Sequence, residues 1–299
     1  MSDSFYSGFI TIVGRPNVGK SSLMNAMIGE KIAIVSNRPQ TTRSRVMGVL
    51  TKENHQAVFL DTPGIHNPRN RLGEYMMQSV RGAMEGMDCV MMLADVSAVL
   101  NKDFEIASDL KAYTHIPRIL VLNKTDLVKP DAILEGIARF SDYGFSEILP
   151  VSAKKKEGLN ELESVLFRLL PEGPQYFPDD MITDQPERVL CAEIIREKAL
   201  RHLHDEVPHG IGVEMMSIEK KSDSLTEIHA TIYCERDAHK RIIIGKQGAM
   251  LKTIGTEARQ DIERLLDTHV NLNLWVKIRN DWRNNLQDLR NLGYDPVRS

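Results

Sequence analysis

With three cysteines in 299 residues, the sequence has too few for a disulfide framework. Cys89, Cys191 and Cys234 are far apart and odd in number, which excludes a zinc knuckle and leaves reduced core thiols as the expectation. No apolar run approaches the length of a membrane span, and residues 1–8 lack the basic and apolar regions of a secretory leader. A cytoplasmic protein is expected; weak peripheral association with the inner face of the cell membrane stays open, although nothing in the sequence requires it. A dominant charge sign is missing too. At a net charge of −3, any nucleic-acid surface must be a local patch. There is no internal repeat or low-complexity tract. What is present is length and apolar content, 42% hydrophobic residues, enough for two cores. A monomer is expected.

The first half alternates short apolar runs with helical patterns, as a sheet with crossover helices does. Candidate strands are residues 8–13, 46–50, 57–60, 89–94, 118–122 and 148–151, and helices begin near Gly19, Leu72, Lys102, Asp131 and Gly158. Several strands are solidly apolar, which predicts burial on both faces. Met76, Met77, Met84, Met87, Met91 and Met92 are expected to be adaptable core packing rather than a partner groove. Regularity breaks at Pro171, Pro174, Pro178 and Pro186, where neither a helix nor a central strand can continue. The expected division is a nucleotide-binding domain over 1–172, a linker over 173–187, a second domain over 188–280, and a C-terminal helix and tail over 281–299. Beyond the linker the order reads helix, strand, strand, helix, helix, strand. Cys191, Ile194, Ile195, Ala199 and Leu203 form one helical stripe, and Met250, Ile254, Ala258, Ile262 and Leu265 another. One strand sets Ile228, Ala230, Ile232 and Cys234 against an outward Glu227, His229, Thr231 and Tyr233; the last alternates Val270, Leu272, Leu274 and Val276. A final amphipathic helix around Trp282, Leu286 and Leu289 is expected to pack on one of the domains.

Gly14-Arg15-Pro16-Asn17-Val18-Gly19-Lys20-Ser21, with Ser22 beside it, fits a phosphate-binding loop between a strand and a helix. The glycines let backbone N–H groups close around phosphate oxygens, and the helix N-terminus adds partial positive charge. Lys20 would reach the β- and γ-phosphates and Ser21 would ligate Mg²⁺. Asp61-Thr62-Pro63-Gly64 ends an apolar strand, placing a carboxylate for the metal's surroundings and a glycine N–H near the γ-phosphate. Asn123-Lys124-Thr125-Asp126 selects the base: Asp126 can accept two hydrogen bonds from guanine, whereas adenine would leave the carboxylate unpaired. Asn123 would contact the purine N7 edge and the Lys124 stem would cover the ring. Ser152-Ala153-Lys154 can offer a backbone N–H to the guanine oxygen. Thr41 and Thr42, in the polar segment 37–45, are the candidates to cover Mg²⁺ and sense the γ-phosphate.

Over roughly residues 8–170 these motifs resemble the P-loop GTPase superfamily, translation-factor-related branch. The resemblance favours Thr42 over Thr41, makes Ser21, Thr42 and Asp61 the expected Mg²⁺ ligands, and makes Lys20, Thr42 and Gly64 the groups expected to serve GTP hydrolysis to GDP. It departs at Ile65, where Ras-like relatives carry the glutamine that orients the attacking water. Isoleucine cannot hydrogen-bond water, so slow unaided turnover is expected. Asn17 makes K⁺ a candidate second cation, since potassium-activated GTPases tend to carry asparagine there.

Gly245-Lys246-Gln247-Gly248 lies between two helices, after Lys240 and Arg241. Residues 236–259 hold six basic side chains against two acidic ones. Glycines let a backbone approach phosphates, and lysines such as Lys246 and Lys252 neutralise them. With the element order, this resembles a K-homology domain, which clamps about four nucleotides of single-stranded nucleic acid. Trp275 on the last strand would extend the site. The whole chain is similar to the Era family of bacterial GTPases. That resemblance implies a mostly parallel six-stranded α/β domain with helices on both faces, followed by a smaller α+β domain. It further implies binding of small-subunit ribosomal RNA near its 3′ end during assembly of the small ribosomal subunit. From the residues alone, a metabolic P-loop kinase and a nucleotide-binding RNA-binding protein without significant catalysis remain alternatives.

Overall fold

The computed structural model describes residues 4–294 apart from 37, 39, 40, 66, 67, 69, 205 and 206. Part of the 37–45 segment and the tail 295–299 therefore lie outside the described residues.

The first domain is built on a six-stranded sheet in the order β2-β3-β1-β4-β5-β6. Its strands are β1 (Tyr6–Val13), β2 (Val46–Lys52), β3 (His55–Asp61), β4 (Cys89–Asp95), β5 (Arg118–Asn123) and β6 (Glu147–Pro150), parallel except for β2 against β3. Every residue of β4 is buried, as its unbroken apolar run requires of a strand covered on both faces. Helices α1 (Lys20–Ile28) and α5 (Leu159–Leu169) pack on one face through Leu23, Met24, Leu162 and Leu166. On the other face lie α2 (Arg71–Ala83), α3 (Asn101–Asp109) and α4 (Pro130–Phe140), contributing Ala83, Ile106 and Phe140. Because β1 has β3 on one side and β4 on the other, the strand order reverses beside β1, and the crevice beyond its C-terminal end is the natural ligand position of such a sheet.

The second domain packs α6 (Glu187–His202), α7 (Asp237–Ile244) and α8 (Ala249–Leu266) on a sheet of β7 (Gly212–Ser222), β8 (Leu225–Cys234) and β9 (His269–Ile278), with β8 in the middle. Among the described residues no helix is long and apolar enough to cross a membrane.

Two features differ from the sequence expectation, in β8 and in the last helix, and a third adds to it. Residues 173–187 do not hang free between domains: Gly173 N–H donates to Phe5 O at 2.9 Å, Val49 N–H to Ile182 O at 2.9 Å, and Thr183 Oγ1 to Met47 O at 2.7 Å. Phe177 and Met181 there pack on the apolar cluster of Met47, Val49, Val58, Leu60 and Ala83. The outward side of β8 is closed at one end: Thr231 and Tyr233 are buried, Tyr233 donating to Glu214 at 2.7 Å under the Arg279 guanidinium, 4.2 Å from the ring centroid. The last helix, α9 (Leu286–Asn291), is only six residues, and Leu286 is exposed. Trp282 and Leu289 are its anchors, joining Leu72, Tyr75 and Met76 of α2, while Trp282 Nε1 donates to Gly210 O at 2.9 Å.

Candidate functional site

The loop after β1 turns back at Gly14, whose Cβ, if present, would lie 2.5 Å from Leu93 O. It enters α1 at Gly19, with φ +101°, where a Cβ would meet Asn123 Nδ2 at 2.3 Å. Only glycine fits either position. Asn17 also has a positive φ of 66°. Lys20 is the first residue of α1 and donates to the loop carbonyls of Gly14 at 3.3 Å and Arg15 at 3.2 Å. Burial pulls its ammonium down to about 8, against the Asp61 carboxylate, which holds it up. The Arg15 side chain turns away, to Asp103 at 2.7 Å and Ala98 O at 2.7 Å. Val18 is core, and Ser22 and Pro16 line the cleft with Asn17, Gly19, Lys20, Ser21, Thr41, Thr42 and Gly64.

Three hard oxygens converge beside Lys20. Ser21 Oγ donates to Asp61 Oδ2 at 2.5 Å and lies 2.9 Å from Thr42 Oγ1, which donates to the same Asp61 oxygen at 3.5 Å. Thr41 instead donates to Arg38 O at 2.6 Å. Burial raises the Asp61 pKa despite Lys20 and the two hydroxyls, and its Oδ1 is buried with no partner. A buried ammonium facing carbonyls and a buried carboxylate with an unused oxygen are a donor set suited to a phosphate and a divalent cation. Thr62 donates to Ile12 O at 2.7 Å, fixing the strand end, and Pro63 leads to Gly64, where a Cβ would fall 2.6 Å from Pro16 N. Ile65 bonds Gly14 O through its N–H at 3.2 Å, and its partly buried side chain packs against the cluster under β4.

The base loops are tied to the phosphate loop before any ligand is considered. Asn123 Nδ2 donates to Val18 O at 2.9 Å, and its Oδ1 accepts from Ala153 N–H at 3.1 Å. Ser152 donates to Asp126 Oδ1 at 2.6 Å. Lys124, in the left-handed region at φ 68°, pairs with Asp95 at 2.6 Å. Thr125 N–H bonds Val151 O at 3.2 Å, and Lys154 is exposed beside them.

In the second domain Gly245 (φ 73°), Gln247 (φ 52°) and Gly248 (φ 79°) form an exposed turn between α7 and α8. Lys246 is exposed at its tip, and Arg241, also exposed, pairs with Asp237 at 2.7 Å, one turn from the half-buried Lys240. The turn opens onto a groove between α8 and β9 of about 360 Å³, with Leu251, Leu272 and Leu274 along it and Lys252 and Arg259 at its sides. Gly255 keeps the groove open: a Cβ there would stand 3.3 Å from Leu274 Cδ1. Of the groove residues, Gly248 and Lys252 were expected from sequence to meet RNA, whereas Leu251, Gly255, Leu272 and Leu274 were not singled out for it, although a glycine inside a helix facing an apolar strand is a readable signal. Trp275 points to the other side of the sheet, 46% exposed and stacked on His229 at 5.3 Å.

Sequence reasoning also missed the contact between domains. Several residues leading up to Thr42 lean on the second domain: Ile34 joins its core, Lys31 pairs with Glu197 at 2.5 Å and Asp261 at 2.8 Å, and Arg196 donates to Thr41 O. Arg43, next to Thr42, is 2% exposed and donates to Ile211 O at 2.8 Å.

Comparison with known proteins agrees with this geometry. The family described as 50S ribosome-binding GTPase matches residues 9–124, and the KH domain family matches residues 206–283. GTPase Era of Ruminiclostridium cellulolyticum is 49% identical over 293 residues, 97% of this chain and 98% of the relative. GTPase Era of Clostridioides difficile is 50% identical over 295 residues, 97% of this chain and 99% of the relative. A crystal structure of Era with MgGDPNP and nucleotides 1506–1542 of 16S ribosomal RNA superposes with TM-score 0.93 at 39% identity, covering 97% of this chain and 99% of the other. A variant of Aquifex aeolicus Era bound to GDP and AlF4⁻ gives 0.92 at 39% identity, covering 97% and 100%.

Proposed function

The chain belongs to the Era family of GTPases, and from that premise we propose a GTP-hydrolysing switch whose KH domain binds small-subunit ribosomal RNA near its 3′ end during subunit assembly. The family description names the 50S particle, but the near-full-length relative was crystallised with 16S RNA, which belongs to the small subunit.

The observation that carries this reading is the convergence of Ser21, Asp61 and Thr42 oxygens next to Lys20, with Thr42 on the segment that leans on the RNA-binding domain. Ser21, Thr42 and Asp61 would hold Mg²⁺, which would neutralise the charge that develops on the phosphates. Lys20 supplies the matching cation from the protein side, and the Gly64 N–H and Thr42 register the γ-phosphate. Asp126, oriented by Ser152, reads the guanine edge. Ile65 is partly buried against the cluster under β4 and offers no polar atom, so its side chain orients no water, and slow turnover follows unless a backbone group or a K⁺ near Asn17 takes that part. In the KH domain Gly245 and Gly248 bring the backbone to phosphates, Lys246, Lys240, Arg241 and Lys252 neutralise them, and the α8/β9 groove accepts bases.

Titrating a single-stranded fragment of the 3′ end of small-subunit RNA against the GTP-analogue and GDP states tests the proposal. The affinities should differ by a coupling free energy of roughly 1–3 kcal/mol. Equal affinities would reduce the chain to two tethered domains.

A further inference from the structure

The strand β9 divides its side chains between two surfaces. Leu272 and Leu274 line the α8/β9 groove, while Asn273, Trp275 and Lys277 stand on the opposite side of the sheet, level with His229, Thr231 and Tyr233 of β8. In the order β7-β8-β9 it is an edge strand, so the groove and the outer face meet along its outer edge. On that outer face the Trp275 indole lies nearly flat on the His229 imidazole, ring centroids 5.3 Å apart and planes 17° from parallel, and is still 46% exposed. The histidine fixes the ring's orientation and leaves nearly half of the residue open. Asn273, whose amide both donates and accepts, and the exposed Lys277 stand on either side of it along the same face. The neighbouring acids are engaged: Glu227 lies 3.2 Å from Lys221 and 3.6 Å from His229 Nε2, and Glu214 accepts from Tyr233. The open ring amounts to on the order of 100 Å², against roughly 800 Å² per partner in a stable protein interface. One nucleobase needs no more than the ring, since every base has a face that stacks on an aromatic side chain.

We propose that Trp275 is a stacking site for one unpaired RNA base, reached by a strand that leaves the α8/β9 groove and turns round the edge of β9. This site rests on the RNA reading of that groove. A KH groove takes about four nucleotides, so a longer single strand must leave it at an end. The base lies on the open indole, Asn273 meets its polar edge, and Lys277 meets the adjoining phosphate. His229 acts only by holding the indole flat against the sheet.

The test uses the full chain saturated with a GTP analogue and Mg²⁺, titrated with single-stranded fragments of the 3′ end of small-subunit RNA: about four nucleotides, enough for the groove alone, and about twelve. The chain has two tryptophans, and Trp282 is fully buried, so emission quenched by acrylamide reports Trp275. Binding itself is read from the anisotropy of a labelled RNA. Both fragments should bind, and only the longer should quench Trp275 and shield it from acrylamide. Trp275→Ala should weaken the longer fragment about tenfold and leave the shorter unchanged; Trp275→Phe should restore most of the loss, and Trp275→Leu, apolar but without a π-face, should not. Unchanged binding of the longer fragment by Trp275→Ala, or rescue by leucine, overturns the stacking site while the groove stands. Failure of both fragments to bind removes the groove and this site with it. Shielding of Trp275 that grows with protein concentration in the absence of RNA would also overturn the site, by making this face a contact between two copies of the chain.

Discussion

The base selection proposed for Asp126 rests on one carboxylate, and a change at a single atom tests it. Ser152 already fixes its orientation, so Asp126→Asn changes acceptor to donor with little change of shape. GTP binding should fall by tenfold or more, at about 1.4 kcal/mol per decade, while xanthosine triphosphate gains, because the amide N–H meets the xanthine carbonyl. Tight GTP binding by the variant in a competition assay would remove Asp126 from base selection. Ile65→Ala should alter hydrolysis only through packing, within about tenfold; a loss of four orders of magnitude in phosphate release would reveal a direct role for that side chain. Comparing K⁺ with Na⁺ at equal ionic strength asks the same of Asn17, and identical rates would exclude it from a potassium site. The cysteines make a different point. Burial pushes the Cys89 and Cys191 thiols up to about 12 and raises Cys234 as well, so none is a thiolate at neutral pH. Native protein should leave a thiol reagent such as DTNB unreacted and expose three thiols in denaturant; rapid native labelling would contradict the buried assignment. Residues in contiguous motifs were legible because their roles depend on a loop a few residues long. Arg43 was not: it sits in a polar stretch, and only the second domain's Ile211 carbonyl and Trp282 ring make it a buried side chain.

At the scale of elements, periodicity carried the strands and helices that bury a continuous face, and it failed where burial came from another part of the chain. Of the α8 stripe, Ile254, Ala258 and Ile262 are fully buried, as their spacing predicts, while Met250 and Leu265 at its ends are partly buried. Tyr233 alternates outward, yet Arg279 and Glu214 cover it, and neither lies near it in sequence. The proline-rich segment 173–187 carries no periodic signal at all, because its order comes from bonds to the edge strand β2 and to the residue before β1, in a sheet formed elsewhere. The glycine turn separates two kinds of constraint. Gly245 is held by both φ and space, since a Cβ would lie 2.7 Å from Met250 Cβ, whereas nothing stands within 4 Å of a Cβ on Gly248. Gly248→Ala should therefore lose only the left-handed backbone preference, about 1–2 kcal/mol, and Gly245→Ala more. Thermal unfolding orders the two, and equal losses would show that space at Gly245 is not limiting. Replacing both with aspartate should abolish RNA binding by putting negative charge where phosphates approach, with nucleotide affinity intact. Retained RNA binding would move the interface away from this turn.

For the molecule as a whole, the question is what carries the nucleotide state to the α8/β9 groove proposed for RNA. The sequence suggests the stiff linker from 171 to 186, but the structure offers a shorter route. Arg196 of α6 is fully buried and donates to Thr41 O, one residue before the hydroxyl beside Ser21 and Asp61; Arg43, one residue after, is anchored at Ile211 and Tyr294. The Thr42 hydroxyl thus sits between two points fixed to the second domain. A move of Thr42 when the γ-phosphate is lost must either break those contacts or shift α6 and β7, and α6 packs on α8, which forms a wall of the RNA groove. Arg196→Met keeps most of the buried volume and removes the bond to Thr41, and its partner Glu193 remains partly exposed and so able to take up water. The difference in RNA affinity between GTP-analogue and GDP states should then shrink by at least half, while GDP affinity changes little. Linkage requires the reciprocal measurement to agree: RNA should tighten GTP binding by the same reduced factor. If the coupling survives Arg196→Met undiminished, while a flexible glycine-serine replacement of residues 173–180 abolishes it, the linker is the transmitting element and the direct contact is only packing.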